Sequence, residues 1–250
     1  MPIAVITGAS SGLGRAYALA AVKIFPEIRE YWLIARRLDR LEALKAEMPG
    51  VTVRPVALDL ADPASFDQYQ KLLEERGEAV ALLINNAGLG WMGDFSDGDW
   101  RTQTAMADVN VRAMTAVANI SLKHMERGSV MINVSSIAAF APTPRMAVYC
   151  ATKACVSALS KAIRFELRGK GIKVLAACPC PMDTEFLEIA GIKSKTFDRL
   201  PRVKPEYMAE KSLIAAKKGR AVYTALAMMK IYRVLAKLIP SNLMMHISKV

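Results

Sequence analysis

The sequence has few of the residues on which metal and disulfide chemistry depend. It contains two histidines, and its four cysteines, Cys150, Cys155, Cys178 and Cys180, fit neither a Cys-x-x-Cys pair nor a zinc-ligand spacing. We therefore predict no metal site and expect the cysteines to be reduced, small and buried. The chain also lacks any run of about 18 uncharged apolar residues, which argues against a membrane-spanning helix.

Low-complexity tracts and clustered charge are missing as well. The net charge is +11, but the lysines and arginines are scattered and aromatic residues make up only 7%. This distribution argues against a nucleic-acid surface and fits an anionic small molecule or a membrane surface better. MPIAVITG already reads as a buried strand, so we expect no cleavable signal peptide and a cytoplasmic location.

Short apolar runs alternate with helical patterns along most of the chain. Continuous apolar runs between helices are typical of a parallel sheet that is covered on both faces. We predict one doubly wound α/β domain, residues 1–250, with right-handed crossovers. Residues 180–204 are expected to form an insertion after the sixth strand, and residues 225–250 an amphipathic helical extension. The expected strands are residues 3–7, 31–35, 51–58, 80–85, 130–134, 172–177 and 221–224.

A glycine-rich turn, TGASSGLG at residues 7–14, follows the first predicted strand directly. Glycines let backbone amides approach a phosphate, and the helix that begins there adds unpaired N–H groups and a positive dipole end. Tight turns also use glycine for local reasons. The position between a buried strand and an amphipathic helix nevertheless favours binding of a nucleotide cofactor.

The Gly-x3-Gly-x-Gly spacing of this turn resembles that of the short-chain dehydrogenase/reductase family. Further residues of the family pattern follow in order: Asp59-Leu60, Asn85 to Gly88, Asn110, Ser136, Tyr149, Lys153, Pro179 and Thr184. The resemblance extends to residue 224. It implies a Rossmann fold and an NAD(P)-dependent oxidoreductase that acts on a carbonyl compound or an alcohol. The cofactor contacts that it implies are Gly8, Ser10, Ser11, Gly12, Leu13, Gly14, Asp59, Leu60, Asn86, Ala87, Gly88, Tyr149, Lys153, Pro179, Met182 and Thr184.

Two parts of the sequence affect which cofactor binds and how it is placed. Ala35 stands where a carboxylate would hold the ribose 2′-hydroxyl of NAD, and Arg36 and Arg37 follow at once. A guanidinium attracts a 2′-phosphate, so we predict NADP with Arg36 as the main contact. Two solvated arginines at a helix start are the alternative. Cys180 replaces the glycine that usually follows Pro179 in the family, and we expect it either to narrow the space beside the nicotinamide or to shift the backbone there.

A Ser-x12-Tyr-x3-Lys spacing occurs twice. Ser136, Tyr149 and Lys153 form the first copy, and Ser194, Tyr207 and Lys211 the second. Ser136 ends a buried strand, and ligands bind at the carboxyl ends of strands in such sheets. Ser194 follows no predicted strand and lies in a lysine-rich loop, so we predict the first copy as the active site.

The resemblance implies a role for each of four residues. Tyr149 would exchange a proton with the substrate oxygen, Ser136 would hydrogen-bond that oxygen, and Lys153 would tune Tyr149 and hold the nicotinamide ribose. Asn110 would hold a water that links Lys153 to solvent. A neighbouring ammonium and the positive nicotinamide favour the phenolate, so we expect the pKa of Tyr149 to be lowered from about 10.

Three segments are expected to surround the reacting carbonyl: residues 89–97, 140–146 and 185–204. Their apolar residues either form a wall for a lipophilic substrate, such as a steroid or an acyl chain, or only pack the loops. These residues are Trp91, Met92, Phe95, Phe140, Met146, Phe186, Leu187, Ile189, Ile192 and Phe197.

The expected partner is therefore a small carbonyl compound or alcohol, and the expected assembly a homo-oligomer, either dimer or tetramer. A regulator that binds the cofactor without turnover and a lipid reductase at a membrane surface are the alternatives. A basic amphipathic helix such as residues 225–239 can lie in a membrane interface, but packing against protein is commoner. We therefore expect this tail to dock on its own or a neighbouring subunit near the pocket mouth.

Overall fold

The computed structural model of the protein describes residues 1–192 and 200–248. Its sheet contains seven strands, all parallel, in the order β3-β2-β1-β4-β5-β6-β7. All seven predicted strands are present, so the predicted doubly wound sheet is confirmed. The strands are β1 (Ile3–Thr7), β2 (Glu30–Ala35), β3 (Thr52–Ala57), β4 (Val80–Asn85), β5 (Val130–Val134), β6 (Lys173–Ala177) and β7 (Val222–Tyr223).

Helices cover both faces of the sheet. The helices before the tail are α1 (Gly12–Ile24), α2 (Leu38–Ala46), α3 (Ala64–Arg76), α4 (Trp100–Ala107), α5 (Met114–Leu122), α6 (Ala147–Glu166), α7 (Glu185–Ile189) and α8 (Pro205–Lys217). A π-helical segment, Asp108–Ala113, joins α4 to α5. The tail forms α9 (Ala227–Leu238) and α10 (Ser241–Ser248).

Alternation along the strands divides the core into two layers. In β1, Ala4 and Ile6 belong to one apolar cluster, and Ile3 and Val5 belong to another on the opposite face. The first cluster contains buried residues of α1, α2 and α8, and the second contains buried residues of α3 and α5. Because strands buried on both faces must be apolar throughout, this packing explains the continuous apolar runs in the sequence.

The strand order reverses direction between β1 and β4. The chain runs outward from β1 to β3 on one side and from β4 to β7 on the other. At such a point the connections leave in opposite directions and open a crevice at the carboxyl ends of the strands.

Within the part of the chain that the structure describes, no helix combines the length and the apolar character needed to cross a membrane.

Candidate active site

A cleft of about 670 Å³ opens at the carboxyl ends of β1, β4 and β5. The structure brings most of the predicted site residues to its lining. Those that line it are Gly8, Ser10, Ser11, Gly12, Leu13, Arg36, Arg37, Asp59, Leu60, Asn86, Ala87, Gly88, Ser136, Tyr149, Lys153, Pro179, Met182 and Thr184. Gly14 and Asn110 do not line it; Gly14 packs against the backbone of Gly8, and Asn110 accepts a hydrogen bond from the Leu89 N–H.

The glycine turn is held against the β4 loop too closely for side chains. A Cβ added at Gly14 would lie 2.0 Å from the carbonyl oxygen of Gly8. Gly8 itself has a φ of 64°, and a Cβ added there would lie 2.8 Å from Nδ2 of Asn86. These close approaches bring bare backbone to the floor of the cleft, as contact with a cofactor phosphate requires.

Thr7 fixes the turn to the β4 loop, a role that the sequence pattern did not reveal. Its Oγ1 accepts hydrogen bonds from the backbone N–H groups of Asn86 at 2.9 Å and Ala87 at 3.0 Å. Asn86 in turn donates from Nδ2 to the carbonyl oxygens of Thr7 and Gly8, at 3.0 and 3.2 Å. The glycine turn and the loop after β4 are therefore one hydrogen-bonded unit beside the cleft.

Ser136, Tyr149 and Lys153 meet at the floor of the cleft. Ser136 follows β5, while Tyr149 and Lys153 lie one turn apart in the first half of α6. Both α6 side chains are buried, and the Lys153 ammonium lies 5.9 Å from the centre of the Tyr149 ring. Lys153 donates from Nζ to the carbonyl oxygen of Val134 at 3.0 Å, which fixes its head group beside the end of β5.

Burial moves the pKa values of these two side chains in opposite directions. It raises the pKa of the Tyr149 phenol to about 12, and the Ser136 hydroxyl beside it opposes this rise. It lowers the pKa of the Lys153 ammonium from 10.5 to about 8. The expected lowering of the Tyr149 pKa is therefore wrong for the chain alone, because desolvation of the phenolate outweighs its polar contacts.

Asn110 lies in the π-helical segment and connects three parts of the site. Its Nδ2 donates to the carbonyl oxygen of Leu89 at 2.9 Å and to Oγ1 of Thr152 at 3.0 Å, while its Oδ1 accepts from the Leu89 N–H at 2.8 Å. A Cβ added at Gly88 would lie 3.0 Å from this Oδ1 and 3.2 Å from Nζ of Lys153. Asn110 therefore positions the loop after β4 against α6, and π-helical turns are frequent at such sites.

The Pro179-Cys180 segment lies beside this floor. The Ile137 N–H donates to the carbonyl oxygen of Pro179 at 3.1 Å, which joins the segment to the loop that carries Ser136. Cys180 lines the cleft but is only 3% exposed, and burial raises the pKa of its thiol. The cysteine side chain is thus accommodated in the core. Cys150 and Cys178 are also buried, whereas Cys155 is exposed, so the expectation that all four are buried is wrong for Cys155.

Arg37 has the contacts expected of an arginine that faces the cofactor turn. Its guanidinium donates to the hydroxyls of Ser10 at 3.2 Å and Ser11 at 3.1 Å, and it pairs with the Glu185 carboxylate at 2.9 Å. Glu185 also pairs with Arg40. The two arginines hold the pKa of Glu185 at about 2, well below its usual range, with Arg40 the larger cause. Arg36 also lines the cleft, but its side chain is exposed.

Apolar side chains form the other end of the cleft. Of the residues expected there, Met146, Phe186, Leu187, Ile189 and Ile192 line it. Trp91 and Met92 pack behind them in a cluster with Tyr149. Neither Phe95 nor Phe140 lines the cleft: Phe95 is 66% exposed, and the ring of Phe140 lies with its centre 6.2 Å from that of Tyr232. Phe197 lies outside the described residues.

The tail completes this wall. Met228, Met229 and Tyr232 of α9 line the cleft, and Met229 is buried in the main core cluster. The inner side of α9 thus docks near the pocket mouth of its own subunit. The apolar spacing of residues 225–239 predicted a docked helix, but most of its large apolar side chains are exposed and Met229 makes the buried contact.

The second Ser-x12-Tyr-x3-Lys copy does not form a site among the described residues. Tyr207 is 46% exposed at the start of α8, and Lys211 pairs with its neighbour Glu210 at 2.7 Å. Ser194 lies outside the described residues. Neither Tyr207 nor Lys211 lines the cleft.

Comparison with known proteins assigns the chain to a family. The family model described as short chain dehydrogenase matches residues 2–192. The chain belongs to this family. The short-chain dehydrogenase fold and its site, described above, make it an NAD(P)-dependent oxidoreductase.

Named relatives of this short-chain dehydrogenase act on different substrates. A sulfoacetaldehyde reductase from Chromohalobacter salexigens is 38% identical over 189 residues, 72% of each chain. A 17-beta-hydroxysteroid dehydrogenase type 3 from Mus musculus is 30% identical over 212 residues, 82% of this chain and 68% of that protein. A solved short-chain dehydrogenase from Sphingobium yanoikuyae in complex with NADPH is 29% identical, with a TM-score of 0.82, and the match covers 95% of this chain and 93% of that chain.

Proposed function

We propose that this short-chain dehydrogenase is an NADPH-dependent reductase of lipophilic ketones or aldehydes. One observation carries the proposal: the floor with Ser136, Tyr149 and Lys153 lies in a single cleft between a bare-backbone cofactor turn and an apolar wall. A cleft of about 670 Å³ is large enough for a nicotinamide together with a sizeable substrate.

The site residues have complementary roles in reduction. When bound, NADPH supplies a hydride to the carbonyl carbon. Tyr149 gives the phenol proton to the carbonyl oxygen, and the product is the alcohol. Ser136 hydrogen-bonds the same oxygen as negative charge develops there. Lys153, fixed by Val134, places a donor beside the phenol, and Asn110 holds the loop that carries Gly88 in position.

The phenol pKa suits this direction. A Tyr149 phenol with a pKa of about 12 is protonated throughout the neutral range, so the acid needed for reduction is present in the resting protein.

The choice of NADPH rests on the arginines beside the cofactor turn. The guanidinium of Arg37 reaches Ser10 and Ser11 of the turn, where the adenosine end of a bound dinucleotide would lie. Ala35 offers no carboxylate to repel a 2′-phosphate or to hold a 2′-hydroxyl. These contacts favour Arg37, with Arg36 beside it, as the phosphate ligand.

The proposal of a lipophilic substrate is based on the apolar end of the cleft. Side chains from α7 and α9 and from the loop before α6 converge there, and Phe186 packs on the Tyr149 ring with the ring centres 5.8 Å apart. A steroid-like or acyl ketone would bury its apolar body against this wall while its carbonyl meets Tyr149 and Ser136. The mouse hydroxysteroid dehydrogenase among the relatives agrees with this substrate class.

NADPH oxidation measured across a panel of ketones and aldehydes tests the proposal. We expect turnover with bulky apolar ketones, a loss of at least about a thousandfold for Tyr149→Phe, and unchanged NADPH binding by that variant. Tyr207→Phe is the matched control and should retain full activity. Full activity of Tyr149→Phe, or loss in Tyr207→Phe alone, would overturn the assignment of the site. Binding of NADPH without turnover on any carbonyl compound would instead favour a regulatory protein.

A further inference from the structure

Helix α9 has apolar side chains on two faces. Met229 and Tyr232 point to the core and the cleft. Met228, Ile231, Val234, Leu235 and Leu238, here called the outer stripe, are 42–75% exposed. These five positions repeat at three- and four-residue steps, so they form one continuous strip along the solvent side of the helix.

The charged side chains of the tail itself all have one sign. Lys230 and Lys237 are exposed at one edge of the outer stripe. Residues 225–250 contain four lysines and arginines in total, with no aspartate or glutamate, in a chain of net charge +11. The occupant of this surface must therefore be apolar at its centre and negatively charged around it.

A second copy of the chain fits this requirement poorly. Two outer stripes placed face to face would bring together tails that carry positive charge only, and like charges held close destabilise an interface. An anionic bilayer supplies both parts of the requirement, since its headgroups attract lysines and its acyl region accepts apolar side chains.

We propose that the outer stripe docks on an anionic phospholipid surface, with α9 lying in the plane of the interface. Its apolar side chains would enter the acyl boundary, while Lys230 and Lys237 would reach the headgroups. This is surface attachment by one helix face. It needs no spanning segment.

The outer stripe is continuous with the mouth of the cleft. Met228 belongs to both, and Ile189 of α7, which is 69% exposed, lines the cleft on another side. Docking would thus turn the mouth toward the lipid, and a lipophilic carbonyl compound could enter from the bilayer. This consequence for substrate entry rests on the proposed function, whereas the docking itself does not.

Cosedimentation of the full chain with vesicles tests the proposal. The probes are vesicles of phosphatidylcholine alone and of phosphatidylcholine mixed with phosphatidylserine. We expect binding to the mixed vesicles, with added salt weakening it. Lys230→Gln and Lys237→Gln should each weaken partitioning about fivefold. The double variant Leu235→Glu/Leu238→Glu should lose about tenfold or more.

Phe165→Glu is the matched control. Phe165 is 77% exposed near the end of α6, whereas the start of α6 lies at the cleft. Its variant should therefore bind like the wild type. All variants change exposed side chains, and thermal melting checks that they remain folded. NADPH oxidation with a water-soluble carbonyl compound should be unchanged in the leucine variant. Vesicle binding and turnover are separate readouts, so either idea can fail without the other.

Three results would overturn the proposal. The wild type could remain in the supernatant with both kinds of vesicle. The leucine variant could bind as well as the wild type, which would show unspecific attraction of a basic protein. The wild type could instead form a dimer that the leucine variant converts to a monomer, without any vesicle binding, and the outer stripe would then be covered by a second copy.

Discussion

Lys153 is a charged group held where charge is costly. It is 4% exposed, and burial lowers its pKa from 10.5 to about 8. Its shift corresponds to about 3 kcal/mol of stability lost while both the folded and the unfolded forms are protonated. Because Lys153 destabilises the folded state in this way, a role in the cleft explains its presence better than packing does.

Lys153→Met should therefore stabilise the protein while abolishing turnover. Loss of the Nζ contact with Val134 offsets part of this effect, so we expect the free energy of unfolding to rise by about 1–3 kcal/mol below pH 8. The unfolded chain binds more protons than the native one between about pH 8 and 10.5, so wild-type stability rises with pH across that window and the advantage of the variant shrinks. Thermal melting at about pH 7 and about pH 9.5 measures this. Lys161→Met, an exposed change on the same helix, is the control, and an advantage that does not depend on pH would contradict this explanation.

Arg37 and Arg36 are adjacent, and Arg37 donates to the hydroxyls of Ser10 and Ser11 in the cofactor turn. We expect Arg37→Gln to weaken NADPH binding about tenfold to a hundredfold, because a charge-assisted contact with the 2′-phosphate is lost. NADH binding should change little. Arg36→Gln should have a smaller effect. Fluorescence titration of both cofactors measures the four affinities. Equal weakening of NADPH and NADH would remove the arginine from the phosphate site, and a larger effect at Arg36 would restore the residue expected from the sequence.

At the scale of elements, the short helix α7 is joined to α2 across the cofactor end of the cleft. Glu185 at the start of α7 pairs with Arg37 and Arg40. With a pKa of about 2, this carboxylate stays charged at any neutral pH. It therefore occupies the guanidinium that a 2′-phosphate would also use.

Glu185→Gln should tighten NADPH binding, since it removes a competing negative charge. The pair is about one-third exposed, so we expect a change of about two- to fivefold, with NADH unaffected. Glu188→Gln, an exposed change on the same short helix, is the control. Cofactor titration of the three proteins gives the comparison. Unchanged or weaker NADPH binding in Glu185→Gln would show that Glu185 does not compete with the phosphate.

The predictability of these elements differed for physical reasons. The central strands β1, β4 and β5 were readable because each is buried on both faces and almost entirely apolar. The Glu185–Arg37 contact could not be predicted from the sequence, since its partners are 148 residues apart and each resembles an ordinary surface charge. In α9 the sequence shows a wide apolar arc. Only the docked structure separates Tyr232, which faces inward, from Ile231 and Leu238, which face outward. Likewise, the spacing identified Tyr149 but could not reveal that burial raises its pKa.

At the scale of the whole molecule, the tail is packed into the same core as the sheet. Met229 shares the apolar cluster that contains Ala4 and Ile6 of β1, and Tyr232 packs on Phe140 beyond it. We therefore expect residues of the tail to unfold together with the rest of the chain in one transition, as the single-domain prediction requires.

Met229→Ala should lower the free energy of unfolding by about 2–4 kcal/mol, because it leaves a cavity in the core. Met228→Ala, one residue earlier and 53% exposed, should cost less than about 0.5 kcal/mol. Calorimetry or denaturant melting followed by two probes checks both values. A separate low-temperature transition for the tail, with the main transition unmoved in Met229→Ala, would show that the tail is an independent unit.

The order of the strands along the chain determines which part of the sheet can pair first during synthesis. The strands β3, β2, β1 and β4 are neighbours in the sheet and end by residue 85, so all four are synthesised before β5 and can pair without it. Thr7, Gly8 and Asn86 are then already present, while Tyr149 and Lys153 are not. Because parallel pairing over long separations is slow, an early half-sheet supplies a template on which β5, α6 and β6 can assemble. On this order of events, the nascent chain completes the glycine turn and its β4 partner well before it acquires the tyrosine that we propose as the acid.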